Sequence, residues 1–308
     1  MSDLVGRVRR FNRHWTRVLG LLDQGLLATE HSLAEARVIF ELAQRDRWER
    51  LALRDHLDLD ASFLTRILTS LEEKGLVTTS RSDVDGRRRN VALTDAGRAA
   101  FAVIDARSAQ QIRGLLRPLT AGQQRTIGEA MTVISSLVQA DSDDRNVTVR
   151  GLATGDLGWV VQRHGEIYAD EFGWNQDFEC LIAKIVADYH TNHRPGRENA
   201  WVAEVDGARA GCVFCCQRDP DTAQLRILLV EPWARGLGIG TRLVDECVRF
   251  ARDAGYSTIM LWTNDVLAAA RRIYEAAGFT LVEAEPHHSF GHHLVGQNWE
   301  LVLTEEPS

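Results

Sequence analysis

A glycine-rich turn is the part of this sequence whose residue types most clearly could do chemistry. It reads Arg235-Gly-Leu-Gly-Ile-Gly240 and joins a predicted strand, 223–230, to a predicted helix, 239–254. Glycines at such a junction let backbone N–H groups close on an anion, and the helix N-terminus adds its dipole. A pyrophosphate is therefore the expected ligand. Two other nucleotide motifs do not fit, because a dinucleotide fingerprint needs glycine where Thr241 stands and the Gly-Lys-Ser/Thr of a P-loop is absent.

An asparagine and a tyrosine follow this turn at positions where they could act on the same ligand. Asn264 comes at the end of the next predicted strand, and the helix after it closes on Ile273-Tyr-Glu-Ala-Ala-Gly-Phe279. Together with the pattern Arg-x-x-Gly-x-Gly, read from Arg235 to Gly240, these residues resemble the two signatures of the GNAT acetyltransferases. The order of predicted elements in the second half also fits that family, and the resemblance extends over the whole of this half.

The resemblance implies a fold, a co-substrate and a set of site residues. The fold is an α/β GNAT fold with a mixed, mostly antiparallel central sheet, and the co-substrate is acetyl-coenzyme A, with no metal. Backbone amides of the turn would hold the pyrophosphate, while backbone groups of Leu228 and Val230 would pair with the pantetheine arm like an added strand. Tyr274 would be the general acid that protonates the departing thiolate. The implied coenzyme-binding residues are Leu228, Val230, Arg235, Gly236, Leu237, Gly238, Ile239, Gly240, Thr241, Asn264 and Tyr274.

The acceptor side of the reaction is left open by the sequence. Transfer to an amine needs a base or a water chain, for which Glu204 and Glu231 are candidates by position only. Segment 168–174 lies in the helical stretch that usually walls the acceptor cleft of this fold. The histidine-rich segment 286–293, predicted as a loop, would contact substrate or be solvated, and a metal site ranks lower because no supporting carboxylate or cysteine is suitably spaced. A small amine, an amino acid, an antibiotic or a protein lysine all fit as acceptor.

The first half contains a helix pair with the length and turn of a helix-turn-helix, predicted at 49–57 and 61–74. Apolar residues form the inner face of the second helix. The outward side chains can bond base edges and phosphates, and they are Ser62, Thr65, Arg66 and Thr69. A predicted hairpin follows, bearing Arg81, Arg87, Arg88 and Arg89 around an Asp-Gly tip. An arginine on such a tip can enter a minor groove, where the potential is most negative.

Residues 30–140 resemble the MarR family of transcriptional regulators. The resemblance rests on Leu71-Glu-Glu-Lys-Gly-Leu-Val77, on Asp85-Gly-Arg87 and on Val91-Ala-Leu-Thr-Asp-Ala-Gly97. It implies that Arg87 contacts DNA at the wing tip, that Asp85 orients the wing, and that a homodimer forms through the first and last helices. Such a dimer would cover the apolar stripe predicted on a helix over residues 1–25, at Leu4, Val8, Phe11, Trp15, Val18 and Leu22. A double-stranded DNA operator is the expected partner, and no residue pattern identifies a small-molecule effector.

The domain organisation follows from a change of pattern near residue 141. Segment 141–146 has no apolar residue, and beyond it strands and helices alternate. The sequence therefore predicts a mainly α winged helix-turn-helix domain at 1–140 and the GNAT domain at 147–304. Net charge also separates the halves, at +4 for residues 1–140 and −11 for the remainder. The basic half suits a polyanion partner and the acidic half would repel one.

Composition predicts a cytoplasmic protein without a membrane partner. The apolar runs are far shorter than the roughly 18 residues that a span requires. The N-terminus lacks a signal-peptide h-region. The five cysteines are an odd number, and the run Gly211-Cys-Val-Phe-Cys-Cys216 indicates thiols buried in a strand rather than a metal knuckle.

Three functional hypotheses remain open from the sequence: a regulator that also acetylates an amine, a regulator whose second domain only senses acetyl-CoA, and an enzyme that uses its first domain to dimerise. Asn264 and Tyr274 argue against the pure sensor. Arg66, Asp85 and Arg87 argue against the pure scaffold.

Overall fold

The computed structural model divides the chain into two compact units, Met1–Ala121 and Gly122–Ser308. The residues that it describes are 2–21, 27, 29–81, 88–138 and 145–303. The division falls before helix Ala121–Val138, whereas the sequence analysis ended the first domain at residue 140. This helix groups with the second unit because Glu129 forms an ion pair with Arg209 at 3.2 Å, and the Thr132 hydroxyl reaches the Asp206 carbonyl at 3.4 Å.

The first unit is mainly helical, with a small sheet at one side. Its elements are α1 (Ser2–Val18), α2 (Leu33–Ala43), β1 (Trp48–Glu49), α3 (Arg50–Leu57), α4 (Ala61–Glu73), β2 (Val77–Arg81), β3 (Arg89–Leu93) and α5 (Asp95–Leu116). The three strands are ordered β1-β3-β2. The predicted helix pair and hairpin are confirmed, while the two-residue β1 was missed because it is too short to show a periodicity. The inner face of α4 is buried as predicted, at Leu64, Ile67, Leu68 and Leu71.

Local capping explains where α2 and α4 begin. Ser32 and Glu35 form a reciprocal capping box at the start of α2. The Asp60 carboxylate accepts the backbone N–H groups of Ser62 and Phe63 at the start of α4. Gly75, with a φ of +70°, takes the left-handed conformation just after α4 and ends the helix.

Glu35 also joins α2 to the end of α4. Its side chain accepts hydrogen bonds from Lys74 Nζ at 2.7 Å, from Ser70 Oγ at 2.8 Å and from the Ser32 backbone N–H at 2.9 Å. Burial by itself raises the pKa of this carboxyl, but these hydrogen bonds and the Lys74 charge outweigh burial and hold the pKa at about 2.

We expect the first unit to lose stability as the pH falls from 4.5, the ordinary value for Glu35, to about 2. A carboxyl with a lowered folded-state pKa stabilises the fold fully above its unfolded value and loses that contribution as it protonates. A shift of this size corresponds to about 3 kcal/mol. The measurement is the difference in the free energy of urea unfolding between wild type and Glu35→Gln. Unfolding of the first unit is monitored by hydrogen exchange of the backbone amides in α2. This difference should shrink between neutral pH and about pH 2, and should be absent for the exposed Glu30→Gln; a constant difference contradicts the assignment.

The second unit adds a long sheet between two layers of helices. Its elements are α6 (Ala121–Val138), β4 (Val147–Gly151), α7 (Asp156–Phe172), α8 (Gln176–Asn192), β5 (Asn199–Val205), β6 (Ala208–Gln217), β7 (Thr222–Val230), α9 (Ile239–Asp253), β8 (Thr258–Asn264), α10 (Ala268–Ala276), β9 (Thr280–Ser289) and β10 (His292–Val302). The sheet is ordered β4-β5-β6-β7-β8-β10-β9. Only β7 and β8 pair in parallel, so the predicted mixed, mostly antiparallel sheet is confirmed.

Each face of this sheet carries its own hydrophobic cluster. On one face, Ile239 and Leu243 of α9 pack with Leu225 and Ile259. On the other face, Phe178 of α8 belongs to a cluster with Phe214 and with Val160 of α7. The cysteine run of β6 contributes to both clusters, so the predicted buried strand thiols are confirmed.

The histidine-rich segment 286–293 forms strand and turn rather than the predicted loop. The strands on either side, β9 and β10, extend into this segment and meet at a tight turn in which Phe290 and Gly291 have φ values of 58° and 85°. The prediction was wrong because Pro286 and the histidines suggested irregular chain. Proline is tolerated here because β9 is an edge strand.

Among the described residues, no helix has both the length and the apolar character that crossing a bilayer requires.

Candidate functional site

Strands β7 and β8 separate partway along the sheet. Their parallel ladder joins Thr222–Leu225 to Thr258–Leu261 and ends there. Just beyond it, Ile227 has a φ of 56°, and two residues of β7 oppose the single Val213 of β6. This β-bulge bends β7 away from β8 and leaves an opening within the sheet.

The bulge determines which backbone N–H and C=O groups of β7 face that opening. The Glu231 N–H donates to the Ala210 carbonyl at 2.8 Å, on the β6 side. Because backbone groups alternate in direction along a strand, those of Leu228 and Val230 point to the open side. These are the two residues that the sequence analysis assigned to the pantetheine arm, and both line the opening.

The glycine-rich turn lies at the end of β7 and presents a run of donors. The first capping bond of α9 runs from the Arg242 N–H to the Gly238 carbonyl at 3.1 Å. Among the described residues, the six preceding N–H groups, Gly236 to Thr241, have no hydrogen-bond acceptor. The first turn of α9 contains no acidic side chain, so the positive end of the helix dipole is not neutralised there.

These features line one cavity of about 480 Å³. Its wall combines α7, the end of β7, the turn and the segment that starts α10. Of the predicted coenzyme-binding residues, it brings together Leu228, Val230, Arg235, Gly236, Gly238, Ile239, Gly240 and Thr241. Leu237 is not in that wall, and its side chain packs against the α9 cluster. The Arg235 guanidinium is held by Glu171 at 2.8 Å, so the backbone supplies most of the free donors to an anion.

Tyr274 lies on α10, with 5% of its surface exposed. It lines a second cavity of about 140 Å³, which shares Tyr168, Leu228 and Leu267 with the first. Burial, and then the proximity of Tyr168, raises the pKa of the phenol well above its usual value. The hydroxyl therefore stays protonated at neutral pH and remains able to donate a proton.

Asn264 lines the second cavity rather than the first. Its Oδ1 lies 2.8 Å from His287 Nε2, and His287 Nδ1 lies 3.0 Å from the Ser289 hydroxyl. With Nε2–H donating to Asn264, Nδ1 accepts from Ser289. The histidine segment thus supports the predicted site residue from the neighbouring β-hairpin. Across the described residues, no group of three potential ligands forms a metal site.

Both carboxylates suggested as candidate bases are held in ion pairs. Glu231, 3% exposed, bonds Arg163 through both oxygens at 2.6 and 2.9 Å. Glu204 bonds Arg150 at 2.8 Å. Neither residue is in the wall of the two cavities.

Among the polar residues of the second cavity that were missed from the sequence, two are basic side chains. They are His164 on α7 and Arg226 on β7. The signal for Arg226 was present in Ala223-Gln-Leu-Arg-Ile227, because a buried strand with polar residues at alternate positions indicates a face turned to a ligand. His164 gave no such signal in a long amphipathic helix.

The predicted DNA-contacting face of α4 is exposed at all four positions, Ser62, Thr65, Arg66 and Thr69. A cavity of about 310 Å³ lies beside it, lined by Arg50, Arg54, Arg88 and Arg89 together with Glu49. Arg50 Nη2 contacts the Thr65 hydroxyl, and Arg88 pairs with Glu49 at 2.9 Å. Arg50 and Arg54 were not among the predicted DNA-contacting residues, because those were chosen only from the second helix and the hairpin. Asp85 and Arg87, with Leu22, lie outside the described residues.

A mixed sheet that opens between its parallel strands, with a glycine turn leading into a helix at the opening, defines the GNAT class of acetyltransferase domain. The comparisons agree. Residues 161–279 match the model of the Acetyltransferase (GNAT) family, and residues 32–88 match that of the MarR family. The chain therefore joins a MarR family region to a GNAT acetyltransferase domain, and acetyl-CoA is the co-substrate of that domain class.

Similar proteins are found for the second half. An uncharacterised N-acetyltransferase of Schizosaccharomyces pombe is 29% identical over 43% of this chain and 79% of its own length. The human N-acetylaspartate synthetase is 32% identical over 36% of this chain and 37% of its own length. A solved Salmonella typhimurium protein, described as an acetyltransferase with its cofactor acetyl-CoA, is 20% identical with a TM-score of 0.45 over 53% of this chain and 96% of its own.

Proposed function

We propose that this protein transfers an acetyl group from acetyl-CoA to an amine, and that its first domain binds duplex DNA as a homodimer. The observation that carries the catalytic part is the run of six unpaired N–H groups from Gly236 to Thr241, next to the open edge of β7. A pyrophosphate accepts several such donors at once, and the dipole of α9 favours its charge.

The remaining contacts extend from the turn along the opening. Backbone groups of Leu228 and Val230 point into it and would pair with the amides of a pantetheine arm. A pantetheine arm bound in this way would extend from the glycine-rich turn toward Leu228, which lines both cavities. Tyr274 lines the smaller of the two. The domain boundaries proposed from the sequence, 1–140 and 147–304, place all of these groups in the second domain.

The thioester supplies an activated acetyl group. The amine nitrogen forms a bond to the acetyl carbon while the carbon–sulfur bond breaks, so that nitrogen loses one proton and sulfur gains one. Tyr274, whose phenol is protonated at neutral pH, donates its proton to the sulfur. The proton released from nitrogen restores the phenol through water, and no net charge develops.

The test is a screen of the purified protein with acetyl-CoA against a panel of amines, with thiol release as the readout. We expect release that depends on the amine, together with acetyl-CoA binding in calorimetry. Binding without release from any amine would favour the sensor hypothesis. Absence of both contradicts the catalytic proposal.

The DNA-binding part rests on the exposed face of α4 and on apolar surface that a second copy would cover. Leu4, Val8 and Phe11 of α1 are each about half exposed, and Phe11 stacks on Trp15 at 5.9 Å. The wing-tip roles of Asp85 and Arg87 remain part of this proposal. A DNA partner and five cysteines without a disulfide support the cytoplasm as the compartment.

We expect selection from a random duplex pool to enrich a pseudo-palindromic site, and Arg66→Ala to weaken binding of that site by roughly 1–3 kcal/mol. Affinity should also fall steeply with salt, because phosphate contacts release counterions. Arg249→Ala, an exposed arginine of the second unit, makes the same change in net charge and serves as the control. Failure to enrich any site, or equal effects of the two variants in a fluorescence anisotropy titration, contradicts the assignment of α4.

A further inference from the structure

The second cavity shares Tyr168, Leu228 and Leu267 with the proposed coenzyme site, but the rest of its wall is different. Its volume is about 140 Å³, and side chains of α7, α8, β7 and β8 line it around Tyr274. Gln224 and Arg226 of β7 and Trp262 and Asn264 of β8 lie there, on the face opposite the α9 cluster. Its size fits a small molecule rather than a long peptide.

The charge in this cavity is one-sided. Arg226 is the one charged side chain among its described lining residues, and no carboxylate lines it. Arg163 and Arg235 nearby are neutralised by Glu231 and Glu171. The Arg226 side chain, in contrast, has no ion pair or hydrogen bond with any described residue. A guanidinium in this setting matches a carboxylate, which it can bind through two parallel hydrogen bonds.

His164 provides an independent observation that points to a ligand. It is 1% exposed, and its Nδ1–H donates to the Val160 carbonyl at 2.8 Å. The other nitrogen, Nε2, is buried without a hydrogen-bond partner among the described residues. Burial lowers the pKa of the imidazole to about 4, so at neutral pH Nε2 is a bare lone pair. A buried acceptor without a donor destabilises the fold, and a ligand N–H would supply the missing donor.

The rest of the wall is mainly apolar, and part of it is aromatic. Trp174 and Phe178 pack edge to face at 4.6 Å on one side, and Trp262, 43% exposed, flanks the opening on the other. Such walls suit the apolar body of a ligand, while the few polar groups fix its orientation.

We propose that this cavity binds the acceptor, and that the acceptor is a small primary amine that also carries a carboxylate, with the carboxylate bound by Arg226 and the amine N–H by His164. The proposal rests on the proposed acetyl transfer, which Tyr274 would serve from the same cavity. It narrows the acceptor to amino-acid-like molecules.

The experiment measures binding and turnover separately. Matched pairs, phenylalanine with phenethylamine and leucine with isoamylamine, are titrated by calorimetry into the protein loaded with coenzyme A. They are then assayed for thiol release with acetyl-CoA. We expect the carboxylate-bearing member of at least one pair to bind on the order of 10–100-fold more tightly, as a charge-assisted hydrogen-bonded pair predicts. Arg226→Gln should reduce that preference to within a few-fold, and Arg226→Lys should retain part of it.

Arg249→Gln is the matched control, because this arginine is 65% exposed on α9, and it should leave the preference intact. Acetyl-CoA affinity, measured for each variant, verifies that the fold is retained. Equal binding of both members of every pair, or a preference that survives in Arg226→Gln, overturns the inference even if amines are acetylated. A preference that is lost in Arg226→Gln supports the inference even if no thiol is released, in which case the proposed transfer fails instead.

Discussion

Replacing Tyr274 with phenylalanine is expected to lower turnover by about 10²–10⁴-fold, the usual contribution of a general acid. The variant keeps the ring and its packing against Phe279, whose centroid lies 6.0 Å away, and removes one hydroxyl. Because Tyr274 is not in the wall of the larger cavity, acetyl-CoA affinity should barely change. The measurement is single-turnover kinetics on an acceptor from the amine screen, with calorimetry for the coenzyme.

Tyr189→Phe is the matched control for that experiment. Tyr189 packs edge to face on Phe214 at 4.9 Å and lines neither cavity, so the same chemical change there should leave turnover within a few-fold of wild type. A structural role for Tyr274 predicts the same small effect at both positions. If the Tyr274 variant does turn over nearly normally with chemistry rate-limiting, another group, such as a water, protonates the thiolate.

Gly238→Val is expected to weaken acetyl-CoA binding on the order of 100-fold, the equivalent of losing one or two charge-assisted hydrogen bonds. A Cβ at Gly238 meets no protein atom within 4 Å, so valine would fill the space beside the unpaired N–H groups where a pyrophosphate must approach. Its φ of +72° adds backbone strain for a β-branched residue. Calorimetry with acetyl-CoA and with NAD measures the effect, and wild type should bind only the former.

Gly255→Val is the control that distinguishes backbone strain from steric exclusion of the ligand as the cause of a loss of affinity. Gly255 follows the opposite end of α9, has a φ of +78°, and likewise has no atom within 4 Å of an added Cβ. Both variants should lose similar stability in urea, but only the one at Gly238 should lose affinity. Equal losses of affinity would show that backbone strain in α9, rather than access to the turn, limits binding.

The parts of the site predicted from sequence are those encoded locally. The turn from Arg235 to Gly240 and the helix that ends near Tyr274 each depend on a short segment, in which glycine positions and helical spacing are directly readable. The helix-turn-helix was predictable for the same reason. The sequence pattern of such a segment indicates its structure without reference to the rest of the chain.

The second cavity as a whole could not be predicted because it depends on strand register and on the packing of helices against the sheet. The bulge at Ile227 reverses which residues of β7 face α7 and α8, and alternation alone would have placed Ile227 with Leu225. Arg226 precedes the bulge and follows ordinary alternation, but its presence in one cavity with His164 depends on how α7 packs against the sheet. The histidine-rich strands were mistaken for a loop because the strand propensity of this segment is poor. Their strand structure depends on the pairing of β9 with β10.

The open edge of β7 has a consequence for how long the protein persists in a cell before it is degraded. When the coenzyme is scarce, backbone groups of β7 that would hydrogen-bond to it are hydrated instead. Binding of the coenzyme to the folded state therefore raises the free energy of unfolding, by an amount that grows with the coenzyme concentration. At a coenzyme concentration of about 100 times Kd this term is about 2.7 kcal/mol. Since changes of that size alter how often a chain unfolds and is degraded, we expect the half-life of the protein, and with it the number of copies in the cell, to rise and fall with the acetyl-CoA pool.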